Sequence, residues 1–167
     1  MKYRSLAVAI GMLTGVVAAA PAMAQQKPLT PAEIAKIKTD VSEALQNYAK
    51  VFAARDLNAI VDKIMANPEI VYTPDGPVAL PPDKVREQYT KTFSALPENY
   101  VRSDWPSVTV CVLTPSLAIA SGSFKRIAKD GSNLLDGSAS YLYQKSNDGW
   151  KLVSTLGIQP KKVVTCD

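Results

Sequence analysis

Ser107-Val108-Thr109-Val110-Cys111-Val112 sets valines at every second position against Ser107, Thr109 and Cys111. A period of two belongs to a β-strand, whose side chains point alternately to opposite faces. This strand starts near Trp105 and ends at the tight connection Thr114-Pro115-Ser116. Three more strands follow in quick succession, Leu117 to Arg126, Leu135 to Lys145 and Trp150 to Gln159, separated by Asp130-Gly131 and Asn147-Asp148-Gly149. Those separators are strong turn sequences, and links this short join antiparallel neighbours. Alternation also puts Tyr141 and Tyr143 on one shared face.

Upstream of the strands the period changes to that of a helix. Val41, Leu45, Tyr48 and Phe52 form one helical face, with Thr39 or Asp40 suited to cap its start. A second, short helix opens at Asp56, a good N-cap, carries Leu57, Ile60, Val61 and Ile64 inward, and stops at Asn67-Pro68. Glu69 to Tyr72 reads as a strand, Thr73-Pro74-Asp75-Gly76 as a turn and Pro77 to Leu80 as a return strand. Pro81-Pro82-Asp83 begins a third helix with Val85, Tyr89, Phe93 and Leu96 on its apolar face. Helices gathered before the long strands predict an α+β fold in which helices cover one face of the sheet.

The first 24 residues read as an export signal: Lys2 and Arg4, then an apolar run from Leu6 to Ala20, then Ala22-Met23-Ala24. A bilayer span needs roughly 20 apolar residues, more than this run supplies. Cleavage after Ala24 is expected, followed by a flexible leader (25–34), one domain (35–160) and a short tail (161–167). The protein is therefore expected to be exported, periplasmic or secreted, with no membrane attachment after cleavage. Loss of Lys2 and Arg4 lowers the net charge from +4 to +2, and no clustered basic stripe remains to bind nucleic acid.

The chain has no histidine. That excludes Ser-His and Cys-His nucleophile pairs and most zinc sites. The carboxylates show no calcium-loop spacing either, so neither metal nor cofactor is expected. The two cysteines, Cys111 and Cys166, are separated by 55 positions. In an oxidising compartment they either form a disulfide, worth about 4 kcal/mol in the chain-entropy account, or remain two buried thiols.

Leu45-Gln46-Asn47-Tyr48, Asp56-Leu57, Ile60-Val61, the Tyr72-Thr73-Pro74-Asp75-Gly76 turn and Gly149-Trp150-Lys151-Leu152 together resemble the nuclear transport factor 2-like superfamily, nearest to its SnoaL-like and ketosteroid isomerase-like members. The resemblance covers about residues 35–160. It implies a cystatin-like α+β roll: a mixed or antiparallel sheet curved around the N-terminal helices into a cone, a homodimer, and a ligand cavity at the open end. Such a cavity is mostly apolar with a few polar groups. The side chains that the resemblance brings to it are Tyr48, Phe52, Tyr72, Thr73, Tyr89, Phe93, Trp105 and Tyr141.

Catalysis is harder to support. The ketosteroid isomerases use a tyrosine, a protonated aspartate and a second aspartate that moves the proton. Tyr48 matches the tyrosine, eight positions before Asp56. Thr73 occupies the place of the base, and a hydroxyl does not abstract protons near neutral pH. The strand that would bring the second acid carries none between Asp136 and Asp148, where Ser140 and Tyr141 stand. Asp75 and Glu69 flank the hairpin as substitute carboxylates, and burial beside aromatic rings would raise either pKa; Arg126, on a strand, reads as solvated. Three functions follow. The first is binding of a small apolar or aromatic molecule without turnover; the second is an isomerase or lyase using Tyr48 and Asp75. The third is an interaction module presenting Val108, Val110 and Val112, or Tyr141 and Tyr143.

Overall fold

A computed structural model describes residues 28–73, 75–157 and 164–166, with the side chains of 72, 73, 156 and 157 left out. The proposed export signal lies outside the described residues. The elements are α1 (Pro31–Ala53), α2 (Leu57–Ala59) running on into a π-helical turn (Ile60–Ile64), β1 (Glu69–Thr73), β2 (Gly76–Leu80), α3 (Pro82–Ser94), β3 (Tyr100–Thr114), β4 (Leu117–Ala128), β5 (Asn133–Ser146) and β6 (Gly149–Gly157). The described strands form an antiparallel hairpin, β1-β2, and a four-stranded antiparallel sheet in the order β3-β4-β5-β6.

The first helix starts at Pro31, well before the Thr39 or Asp40 cap that periodicity favours, so residues 31–34 of the expected leader are helical. The cause is local. The Thr30 side chain accepts from the Glu33 backbone N–H while the Glu33 carboxylate accepts from the Thr30 N–H at 2.7 Å, a reciprocal capping box, with Pro31 in the first helical turn. Ile37, Val41, Leu45, Tyr48 and Phe52 are its buried stripe. Asp56 caps the second helix as expected, accepting from Ala59 N at 2.9 Å.

The long strands bend at β-bulges. Register shifts fall at Tyr100/Arg102, Asp104/Ser107 and Val112/Thr114 in β3, opposite Arg126/Ile127 in β5, where Leu134 is the extra residue, and opposite Leu142/Tyr143 in β6, where Val153 is. Each inserts an unpaired residue, bends the strand and increases its twist. Pro106, which has no N–H to donate, falls inside the Asp104/Ser107 bulge on an edge strand, where its loss from the ladder is tolerated. β3 also begins at Tyr100, earlier than Trp105, because the ladder with β4 extends through Tyr100↔Ala128. The result is a curved antiparallel sheet with α1 across its concave side, mainly against β3.

Strand parity assigns the two faces. Val110, Ala120 and Tyr141 are cross-strand partners on the helix side, as are Val112, Ala118 and Tyr143. Tyr143 is fully buried there and Tyr141 nearly so. The valine and tyrosine faces offered for an interaction module therefore turn toward α1, with Val110 and both tyrosines buried and Val108 and Val112 partly buried against the core. Cys111, Ile119, Ser121 and Ser140 occupy the opposite face. Across it lies segment 164–166: Val164 N–H donates to Ser121 Oγ at 2.9 Å, and Cys166 is disulfide-bonded to Cys111 with Cα atoms 5.3 Å apart.

Candidate functional site

α1 contributes Tyr48, Ala49 and Phe52 to a cavity of about 250 Å³ between the helices and the concave sheet face. α3 adds Gln88, Tyr89 and Thr92; β3 adds Ser103 and Trp105; β4 adds Phe124 and Arg126. Ser138, Ala139 and Tyr141 of β5 and Thr155 of β6 complete the lining. Ligand pockets usually run to roughly 300–1,000 Å³. This one accommodates one or two rings.

Five of the eight side chains expected at the cavity line it: Tyr48, Phe52, Tyr89, Trp105 and Tyr141. They pack as tilted and edge-on aromatic pairs, with Tyr48–Tyr141 at 5.4 Å, Trp105–Tyr141 at 5.8 Å and Trp105–Phe124 at 5.1 Å between ring centroids. Such pairs contribute about 0.5–1.5 kcal/mol each beyond area burial, so the wall is stiff before any ligand arrives. Phe93 is displaced from the lining. It sits behind Phe52, centroids 5.3 Å apart, because a full turn of α3 beyond Tyr89 carries it into the core. Tyr72 and Thr73 belong to β1, and their side chains lie outside the described residues.

Asp75 does not join the site. It is exposed in the turn of the β1-β2 hairpin, where a Pro-Asp-Gly sequence places it for turn geometry. Glu69 behaves differently: only 1% of it is exposed, Oε2 has no hydrogen-bond partner among the described residues, and burial pushes its pKa up to about 7. Glu69 is absent from the cavity lining. Tyr48 Oη lies 3.2 Å from Tyr89 Oη, and Tyr89 in turn donates to Met65 Sδ at 3.8 Å. With the Tyr89 proton directed to sulfur, Tyr48 donates to Tyr89. Burial holds both phenols well above their ordinary pKa, so neither acts as a base near neutral pH.

Arg126 is the residue that sequence reasoning misplaced. Its guanidinium carbon stands 5.8 Å from the Phe52 centroid, 5.9 Å from Tyr100 and 5.8 Å from Phe124. No ion pair among the described residues includes it, and its Nε is buried without an acceptor. Ring contacts return about 0.5–2 kcal/mol each, yet they satisfy no in-plane donor. The signal was present: in Phe124-Lys125-Arg126 alternation places Arg126 on the face of Phe124 and Ala120, toward the core. Gln88, Thr92, Ser103, Ser138 and Thr155 carried no such signal, since an isolated polar residue on an element reads as surface. Among the described residues no group of three or more His, Cys, Asp or Glu is placed to hold a metal ion.

A curved antiparallel sheet closed by N-terminal helices over an aromatic cavity defines the cone-shaped α+β class. The family model described as NTF2-like protein (DUF6841) matches residues 38–160, and the chain belongs to that family. No curated protein matches it. Among solved structures it is similar to a nuclear transport factor 2-like superfamily protein from Salmonella enterica serovar Typhimurium, with 16% identity, TM-score 0.55, and 77% of this chain and 94% of that one covered. A cystatin-like fold from Nostoc punctiforme gives 10% identity, TM-score 0.58 and coverage of 70% and 86%. A Streptomyces avermitilis protein, provisionally described as a dehydratase of the NTF2-like family, gives 14%, 0.54, and 73% and 94%. At these identities the fold alone is shared.

Proposed function

We propose that the protein binds a small aromatic or apolar molecule in the cone cavity without transforming it. One observation carries this reading: the described lining carries six aromatic side chains and contains no Asp, Glu, Lys or His, so no group there moves a proton near neutral pH. Tyr48 survives from the isomerase pattern, but its hydroxyl is engaged with Tyr89. Export forms part of the same proposal, supported by the Cys111–Cys166 disulfide, since such bonds persist in oxidising compartments. The homodimer implied by the resemblance is carried with it, and sedimentation that finds only monomer at every concentration removes it.

The chain has two tryptophans. Trp150 is outside the cavity lining, so the Trp150→Phe variant leaves Trp105 as a reporter in the wall. Titration with a neutral two-ring alcohol is expected to give a saturable change in Trp105 emission and to raise the melting temperature. The Ala139→Phe substitution, which fills the cavity, is expected to abolish both. Saturation that persists unchanged in Ala139→Phe would place binding elsewhere and overturn the reading.

A further inference from the structure

We propose that the molecule held in the cavity is an anion, a carboxylate on a one- or two-ring frame, and that Arg126 selects it. This inference rests on the binding reading above and adds the chemical class of the ligand. Seven buried side-chain polar atoms fall short of a well-formed hydrogen bond among the described residues, and two of them, Arg126 Nε and Trp105 Nε1, belong to side chains that line this one cavity and have no other acceptor near them. Folded proteins leave few such groups, and each one needs a reason. Both are donors only. What they lack in common is an acceptor.

Among the described residues the chain supplies none. The cross-strand partners of Arg126 are Ser103 and Leu135, so neither neighbouring strand places a carboxylate beside it. The Ser103 hydroxyl is already paired with Tyr100 Oη at 2.9 Å. The three rings around the guanidinium hold it through their faces, which fixes its position and leaves its in-plane N–H fork for a planar, two-oxygen partner. Carboxylate matches that fork, and the aromatic wall takes the frame.

The approach to the cavity has the same sign. A groove between α1 and β3 shares Ala49, Ser103 and Trp105 with the cavity and is lined by Lys50, Arg102 and Lys125 against a single carboxylate, Asp104, which Arg102 pairs at 2.8 Å. A cleft lined by an excess of positive charge concentrates anions at its mouth.

The test compares 2-naphthoate with the isosteric alcohol 2-naphthylmethanol by calorimetry on the wild-type protein, on Arg126→Gln and on Arg126→Lys. Wild type is expected to bind the carboxylate at least about tenfold more tightly than the alcohol, the margin one charge-assisted pair supplies. Arg126→Gln is expected to lose that preference, read as the ratio of the two affinities within the same variant, so that any loosening of the rings around position 126 acts on both probes alike. Arg126→Lys is expected to keep part of the preference through its charge. Equal affinity for the two probes in wild type overturns the anion inference and leaves cavity binding standing. A preference that survives Arg126→Gln overturns the role of Arg126. Failure of both probes to bind wild type overturns the cavity reading and this inference together.

Discussion

Glu69 sits in a setting that penalises its charge, with desolvation as the cause of a pKa near 7 against an ordinary 4.5. A carboxyl whose folded pKa is raised binds its proton more tightly in the native state than in the unfolded chain. Stability gained this way is complete below about pH 4.5 and is lost as the pH rises through 7. The Glu69→Gln variant removes the titration while keeping the shape. Relative to wild type it is expected to gain stability between pH 5 and pH 8, by up to about 3 kcal/mol. Urea denaturation of both proteins at the two pH values checks this; a stability difference that does not change with pH would show that the group ionises alike in folded and unfolded chains. Arg126 presents the opposite case, a permanent charge that no proton transfer can neutralise. Its Nε is buried with no acceptor among the described residues.

At the scale of elements, β4 and β5 shape the cavity through one glycine. Gly137 pairs with Phe124 across the ladder, and a Cβ at 137 would meet Phe124 Cζ at 2.5 Å. The ring lies over the bare backbone and is held against the cavity wall by it. Gly137→Ala is expected to force Phe124 off this seat, to cost about 1–3 kcal/mol by overpacking, and to weaken probe binding more than a matched surface substitution such as Lys129→Ala. Calorimetry and urea denaturation on the same samples test both parts, and unchanged binding would show that the ring relaxes away from the cavity. The bulge at Asp104/Ser107 acts similarly on Trp105, turning a strand residue toward the helices. Much of this level is legible: the Asp56 cap, the hairpin, the four strands and the shared face of Tyr141 and Tyr143 follow from spacing and turn chemistry, whereas the direction of that face does not. The early start of α1 is masked, although Thr30 and Glu33 carry the capping signature, because the first turns of that helix are polar and their periodicity is weak.

For the molecule as a whole, the disulfide joins the C-terminal segment to the outer face of the sheet. Ser140 Oγ donates to Ser121 Oγ at 2.6 Å, Val164 N–H donates to the same oxygen, and both serines are fully buried on a face that would otherwise meet water. Closing a loop across a separation of 55 positions stabilises by about 4 kcal/mol in the chain-entropy account. Cys166→Ser is expected to lower the unfolding free energy by a comparable amount and to expose the Ser121 and Ser140 amides to hydrogen exchange, while the cavity on the far face keeps its probe affinity. Loss of probe binding in Cys166→Ser would show instead that the two faces of the sheet are energetically coupled.

The order of helices and strands, the antiparallel pairing and which residues share a face of each strand were determined by the sequence alone, since periodicity, caps and tight turns act over a few neighbouring residues. Only the tertiary structure decided which polar groups share one enclosure. Arg126, Trp105 and Thr155 come from three different strands, and Glu69 is buried by elements distant from it in the chain. Burial is a property of the assembled sheet and helices, set by curvature and packing between segments far apart in the chain, so no local pattern could announce it.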